Sequence, residues 1–163
     1  MKHASHLQNT APIPRIPLSQ ETLDQKRAEL DRQLTLRKEV MKRLIVAREM
    51  GDLSENSGYR AAKFELGSIG RQLRELNHII KHAYVPVISK EPIASFGKKV
   101  TLQNDTKTIE FTLVGEYEVD ILQKKYSLES PIGKAVMGKK VGDTVELISP
   151  NGRVSYKIVE LVL

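Results

Sequence analysis

The sequence predicts an α+β chain in two parts: an antiparallel coiled-coil hairpin of two helices, then a small antiparallel-sheet domain. Three observations predict it. Tyr59, Ala62, Leu66, Ile69, Leu73, Leu76 and Ile80 follow one another at alternating steps of 3 and 4 residues, which is the a/d seam of a coiled coil. A glycine and a polar cluster, Gly51-Asp52-Leu53-Ser54-Glu55-Asn56, break the helical pattern at one point only. Beyond residue 98 the apolar period drops to two, as in half-buried strands.

Upstream of the turn, Leu23, Leu30, Leu34, Met41 and Leu44 fall on a comparable seam, interrupted by Arg27 and Arg37. Neither helix can bury its stripe alone, so the two fold back on each other. Ser19 is a good N-cap, and Leu18 before it is placed to staple onto Leu23. From Ser19 to Met50, at 1.5 Å per residue, the first helix reaches roughly 45–50 Å. Gly51 suits the left-handed cap that ends a helix. The second helix runs from about Asn56 to His82, and Gly58, Gly67 and Gly70 make its persistence depend on the seam. The rod therefore carries Asp52 and Glu55 at its far end.

Residues 1–18, with Pro12, Pro14 and Pro17, read as a flexible or extended arm. Residues 19–82 form the hairpin, with its acidic tip at 51–56. Residues 83–97, punctuated by Pro86, Pro92 and Gly97, read as a linker, and 98–163 as the sheet domain. In that domain Lys99-Val-Thr-Leu-Gln and Thr108-Ile-Glu-Phe-Thr-Leu-Val alternate around an Asn104-Asp105 turn. Lys125-Tyr-Ser-Leu-Glu is short and extended. Ser130 caps a short helix that has Pro131 at its first position and ends at Gly138. Val145–Ser149 and Val154–Val162 close the chain as a hairpin around Asn151-Gly152.

Composition removes several function classes. With no cysteine among 163 residues, disulfides and thiolate chemistry are excluded, in keeping with a cytoplasmic protein. No apolar run approaches a membrane span, and the N-terminal arm lacks the apolar region of a secretory signal. The net charge of +6 is spread as +2, +3 and +1 over residues 1–18, 19–82 and 83–163. Such spreading suits a protein that works near nucleic acid rather than one that grips a duplex alone. Mixed charge along the first helix reads as a solvated face. His78 and His82 share one helix face at a metal-pair spacing, but they point away from the seam with no third ligand nearby.

No phosphate-cradling glycine loop or catalytic triad is visible. The tip has two readings. Asp52-Leu53-Ser54-Glu55 has the form of a capping box, which would spend both carboxylates on backbone N–H groups. Alternatively, the rod delivers two carboxylates into another macromolecule. Mg²⁺ takes one or two protein carboxylates and keeps several waters, so such a tip can complete a site whose other ligands belong to a partner.

The stretch Ala47-Arg-Glu-Met-Gly-Asp-Leu-Ser-Glu-Asn-Ser-Gly-Tyr-Arg-Ala-Ala-Lys63 closely resembles the tip signature of the Gre transcript-cleavage factors of bacterial RNA polymerase. A second, independent likeness lies in Val119–Asp143, including Tyr126-Ser-Leu-Glu-Ser-Pro-Ile-Gly-Lys-Ala-Val-Met-Gly-Lys-Lys-Val-Gly-Asp, and in the closing Pro-Asn-Gly-Arg-Val-Ser-Tyr-Lys-Ile. The resemblance covers about residues 19–163, and the flanks of the tip look more like GreA than GreB. It implies that the sheet domain is FKBP-like and docks on the polymerase secondary channel. It also implies that the hairpin enters that channel, where Asp52 and Glu55 help hold a second Mg²⁺ against the RNA 3′ end of a backtracked complex. By position, Glu129, Ser130 and Pro131 match the docking region, and Arg48 and Lys63 match basic positions assigned to RNA or polymerase contact. A rod of this kind is expected to act as a monomer. If Glu55 belongs to a capping box, it must leave the cap when the metal binds.

The sequence departs from the family pattern at Ser57-Gly58, where an alanine and an acidic residue are frequent, and in its longer arm. Two other readings stand beside the cleavage factor. One is a channel-binding inhibitor that blocks the polymerase. The other is a prolyl isomerase on the FKBP-like domain, for which Phe111, Tyr117, Tyr126 and Tyr156 are the only aromatics in residues 98–163.

Overall fold

The computed structural model describes residues 15–51, 55–149 and 152–163. Two long helices, α1 (Gln20–Glu49) and α2 (Ser57–His82), form the hairpin. Ser19 caps α1, its Oγ accepting from the Thr22 N–H at 3.2 Å. At the other end Gly51 adopts φ +79°, the left-handed conformation just past the last turn that a Cβ disfavours.

The α2 stripe is the expected one over most of its length: Ala62, Ile69, Leu73 and Leu76 are buried and Leu66 half-buried. At its base the stripe steps to Ile79, which is buried more deeply than Ile80. On α1 the register differs from the sequence expectation. The buried positions are Leu23, Val40 and Ala47, and Leu30, Leu36 and Leu44 pack partly against the cluster around Val40. Leu34 and Met41 are exposed, at 39% and 38%. The stripe runs through Leu23, Lys26, Leu30, Gln33, Leu36, Val40, Leu44 and Ala47, all of them buried or half-buried. In this register Arg27 and Arg37 are not defects. Both are exposed, and Arg27 pairs with Asp24 at 3.3 Å. Lys26 and Gln33 occupy the seam instead, their methylene stems supplying apolar surface.

At the base of the rod, β1 (Ile16–Pro17) pairs in parallel with β2 (Ala83–Tyr84), and the Leu18 N–H donates to the Tyr84 carbonyl at 3.0 Å. Ile16, Leu18, Leu23 and Ile79 form one buried cluster, with Leu18 fully enclosed. The reading of residues 1–18 as a flexible arm is thus corrected for 15–18; residues 1–14 lie outside the described residues. The prolines had argued against helix, but they do not argue against a short strand at a sheet edge.

The remaining strands are β3 (Lys99–Gln103), β4 (Thr108–Val114), β5 (Lys125–Ser127), β6 (Thr144–Ser149) and β7 (Gly152–Val162), in spatial order β5-β4-β3-β7-β6. The sheet is mixed, not wholly antiparallel, because β5 runs parallel to β4. The 3₁₀ turn Glu116–Glu118 and the loop after it return the chain in the original direction. Helix α3 (Pro131–Val136) closes the core formed by Val100, Leu102, Phe111, Leu113, Val136, Val145, Tyr156 and Ile158. Part of the expected linker belongs to this core as well. Ala94 is fully buried, its N–H donating to Lys139 O at 2.7 Å and its carbonyl accepting from Gly138 N at 2.9 Å.

The aromatics are spent on packing. Phe111 and Tyr156 are buried, and Phe111 meets Tyr126 edge to face with ring centroids 5.4 Å apart. Only Tyr117 of the four is exposed.

The α1 register can be tested by paired truncation. Val40→Ala is expected to cost about 2 kcal/mol in urea unfolding. Met41→Ala should change stability by less than about 0.5 kcal/mol; the reverse ranking would restore the seam through Met41.

Candidate functional site

The tip is built by the two helix ends that converge on it. Helix α2 begins at Ser57, and its N-cap is Asn56, whose Oδ1 accepts from the Tyr59 N–H at 2.9 Å. The same side chain spans the hairpin, its Nδ2 donating to the Ala47 carbonyl of the last turn of α1 at 2.7 Å. One amide thus satisfies an orphan donor of α2 and an orphan acceptor of α1. Gly58 adds to this closeness: a Cβ there would sit 3.9 Å from Ala47 Cβ and 3.4 Å from Asn56 Oδ1.

This arrangement displaces the capping box. A box needs Glu55 at the third helical position, whereas Glu55 precedes the cap, outside α2. Its carboxylate is exposed and has no hydrogen-bond or ion-pair partner among the described residues. The idea that Glu55 must leave a cap to reach a metal therefore falls away. Asp52, the other half of the acidic pair, lies outside the described residues. Asn56 is the residue that sequence reasoning missed. Its signal was present, since asparagine caps as well as aspartate, but spacing alone did not choose between the two.

Arg48 lies in the last turn of α1 and Lys63 in the second turn of α2, both exposed. They bracket the tip from the two helices. Farther along the rod Arg43 bridges to Glu65 at 2.9 Å; both are exposed, so the pair contributes less than about 1 kcal/mol.

Glu129, Ser130 and Pro131 lie at the start of α3. Ser130 Oγ accepts from Gly133 N at 3.1 Å and donates to Ser127 O at 2.6 Å. Gly133 is buried, and a Cβ on it would collide with the Ser127 and Leu128 carbonyls, so only glycine allows this approach. The result presents Glu129 and Pro131 outward, Glu129 with an exposed ion pair to Lys134 at 3.0 Å.

The histidine pair stays a pair: the His78 and His82 ring centroids are 4.6 Å apart. Loss of hydration, then repulsion from His78 and Lys81, holds His82 below the usual histidine range. Among the described residues no group of three or more His, Cys, Asp or Glu could hold a metal ion, and no helix is long and apolar enough to cross a membrane.

Two family models match the chain. "Transcription elongation factor, N-terminal" covers residues 16–85, and "Transcription elongation factor, GreA/GreB, C-term" covers residues 89–162. Transcription elongation factor GreA of Thermotoga neapolitana is 40% identical over 144 residues, 86% of this chain and 91% of that protein. GreA of Lactococcus lactis subsp. cremoris is 40% identical over 151 residues, 89% of this chain and 96% of that protein. Among solved structures, the GreA factor homolog 1 (Gfh1) protein of Thermus thermophilus is 25% identical, covering 92% of this chain and all of that one, with a TM-score of 0.44. That superposition is too loose to bear on function.

If Asn56 and not Glu55 holds the helix start, Asn56→Ala should lower thermal stability by about 1–2 kcal/mol, with Glu55→Gln within about 0.5 kcal/mol of the parent. A destabilising Glu55→Gln beside a silent Asn56→Ala would reinstate the capping box.

Proposed function

The chain belongs to the GreA/GreB family of transcription elongation factors, and we propose that it rescues backtracked bacterial RNA polymerase by stimulating the polymerase's own cleavage of the RNA 3′ end. The sheet domain docks at the rim of the secondary channel through Glu129, Ser130 and Pro131. The hairpin, about 45 Å long in α1, passes down the channel and brings Asp52 and Glu55 to the polymerase active site. The factor itself is not an enzyme, and it works as a monomer in the cytoplasm.

The observation that carries the reading is the state of Glu55. It is an exposed carboxylate outside the helix, relieved of capping by Asn56. A hard anionic oxygen of this kind fits Mg²⁺, and with Asp52 it supplies the one or two carboxylates that Mg²⁺ takes from a protein. When bound, Mg²⁺ stabilises the attacking and leaving oxygens of phosphodiester hydrolysis. Asp52 and Glu55 would supply carboxylate oxygens to hold it, and Arg48 and Lys63 would offset phosphate charge on either side of the tip. A channel-blocking inhibitor has no observation in its favour, since the curated relatives described above are named elongation factors.

The test is a stalled, backtracked polymerase with 3′-labelled RNA across a Mg²⁺ titration. The parent protein should speed release of short 3′ fragments. Asp52→Asn and Glu55→Gln should bind equally well, shift the Mg²⁺ requirement upward and slow cleavage by roughly 100-fold. A parent protein that binds and does not speed cleavage would make it an inhibitor.

A further inference from the structure

We infer that Glu118 is a positioning residue, a latch in the sheet domain that sets the direction in which the hairpin points. Its carboxylate reaches across to the start of α1, 99 residues away in sequence. Oε1 accepts from the Ser19 backbone N–H at 3.1 Å, from the Ser19 hydroxyl, and from Thr22 Oγ1 at 2.7 Å. Oε2 accepts from the Gly115 N–H at 3.3 Å, which fixes the 3₁₀ turn that carries Glu118. One side chain thereby ties the first turn of the rod to the loop between β4 and β5. An anion at this end of α1 is also favoured by the helix dipole.

The neighbouring geometry makes the joint narrow. A Cβ on Gly115 would collide with the Pro17 carbonyl, so the loop approaches β1 backbone to backbone. On the other side β1 is held by β2, the continuation of α2. Residues 15–19 are thus gripped between the end of the hairpin and the sheet domain, and Glu118 is the charged group that closes the grip. Beside it lies an open cleft lined by Lys26, Asp120 and Lys125. Water therefore reaches the latch, and its bonds compete with solvent rather than being sealed in a core.

The consequence is leverage. Helix α1 has 30 residues, so a rotation of ~5° at its base moves the tip by ~4 Å over its ~45 Å length. Misplacement of a reacting group by about 1 Å can cost about 100-fold in rate. The latch is a property of the free chain; its effect on cleavage rests on the function proposed above.

The absence of cysteine makes the test direct. Spin labels at Arg60→Cys near the tip and Lys107→Cys in the sheet domain, both exposed sites, report the tip-to-domain distance distribution in the full-length protein. The parent should give one narrow distribution, and Glu118→Gln, which keeps the acceptor for Ser19 and Thr22 but loses that for the Gly115 N–H, should fall between the parent and Glu118→Ala. Glu118→Ala should broaden or shift the distribution, with helical content unchanged, and Thr22→Val should do so to a smaller degree. On backtracked polymerase, Glu118→Ala should bind within about 2-fold of the parent and lose on the order of 10-fold in cleavage rate at saturation, with partial rescue in Glu118→Gln. An unchanged distance distribution in Glu118→Ala overturns the latch whatever cleavage does. A broadened distribution in a protein whose parent form never stimulates cleavage sinks the functional reading and leaves the latch standing.

Discussion

The aliphatic seam between α1 and α2 is the constraint on which the rest depends, because an isolated helix of this charge content has no other means of staying folded. Helix stability in water comes mainly from burying an apolar stripe. Here that stripe is thin: Val40, Ala62, Ile69 and Leu73 at its centre, with partly covered leucines on either side. Each fully buried aliphatic side chain contributes about 1.5–3 kcal/mol. A handful of them therefore maintains two helices of 30 and 26 residues. The three glycines within α2 persist only because the seam holds them in register.

A thin seam leaves the ends of the rod to be fixed by other means, and the two ends use different chemistry. At the base an apolar knot of Ile16, Leu18, Leu23 and Ile79 is reinforced by backbone pairing between β1 and β2. Toward the tip, among the described residues, an asparagine joins the two helix ends through two hydrogen bonds. The division suits the proposed role. Bulk is confined to the end that stays outside, and the end that travels inward is slender and polar.

How much of this was legible in the sequence depended on how local the deciding interaction is. The α2 stripe was legible from Ala62 to Leu76 because its five seam residues, Ala62, Leu66, Ile69, Leu73 and Leu76, keep the steps of 3 and 4 without a break. The α1 stripe was not, because Leu34 and Met41 compete with Leu36 and Val40, and only packing against α2 chooses between them. Lys26 and Gln33 on the seam could not be read from hydropathy at all. The strands at Lys99–Gln103 and Thr108–Val114 and the capped helix after Ser130 rest on local alternation and local caps, and they stand where the sequence put them. The parallel β5 and the pairing of Ile16–Pro17 are decided by segments far apart in the chain, and three or two residues carry too little pattern to announce a partner. At the tip the Asn56 cap was hidden by the equal fitness of aspartate and asparagine for the same task.

The clamp formed by Gly51 and Asn56 has a consequence for how such a protein can change. Gly51 ends one helix by its own backbone conformation and Asn56 begins the other by its side chain, so the fold asks nothing of Glu55. Glu55 is in effect an interchangeable bit on a fixed shank. Its chemistry can be rewritten by substitution while the scaffold goes on folding as before, which lets selection explore new activities at one end of the rod without risking the other.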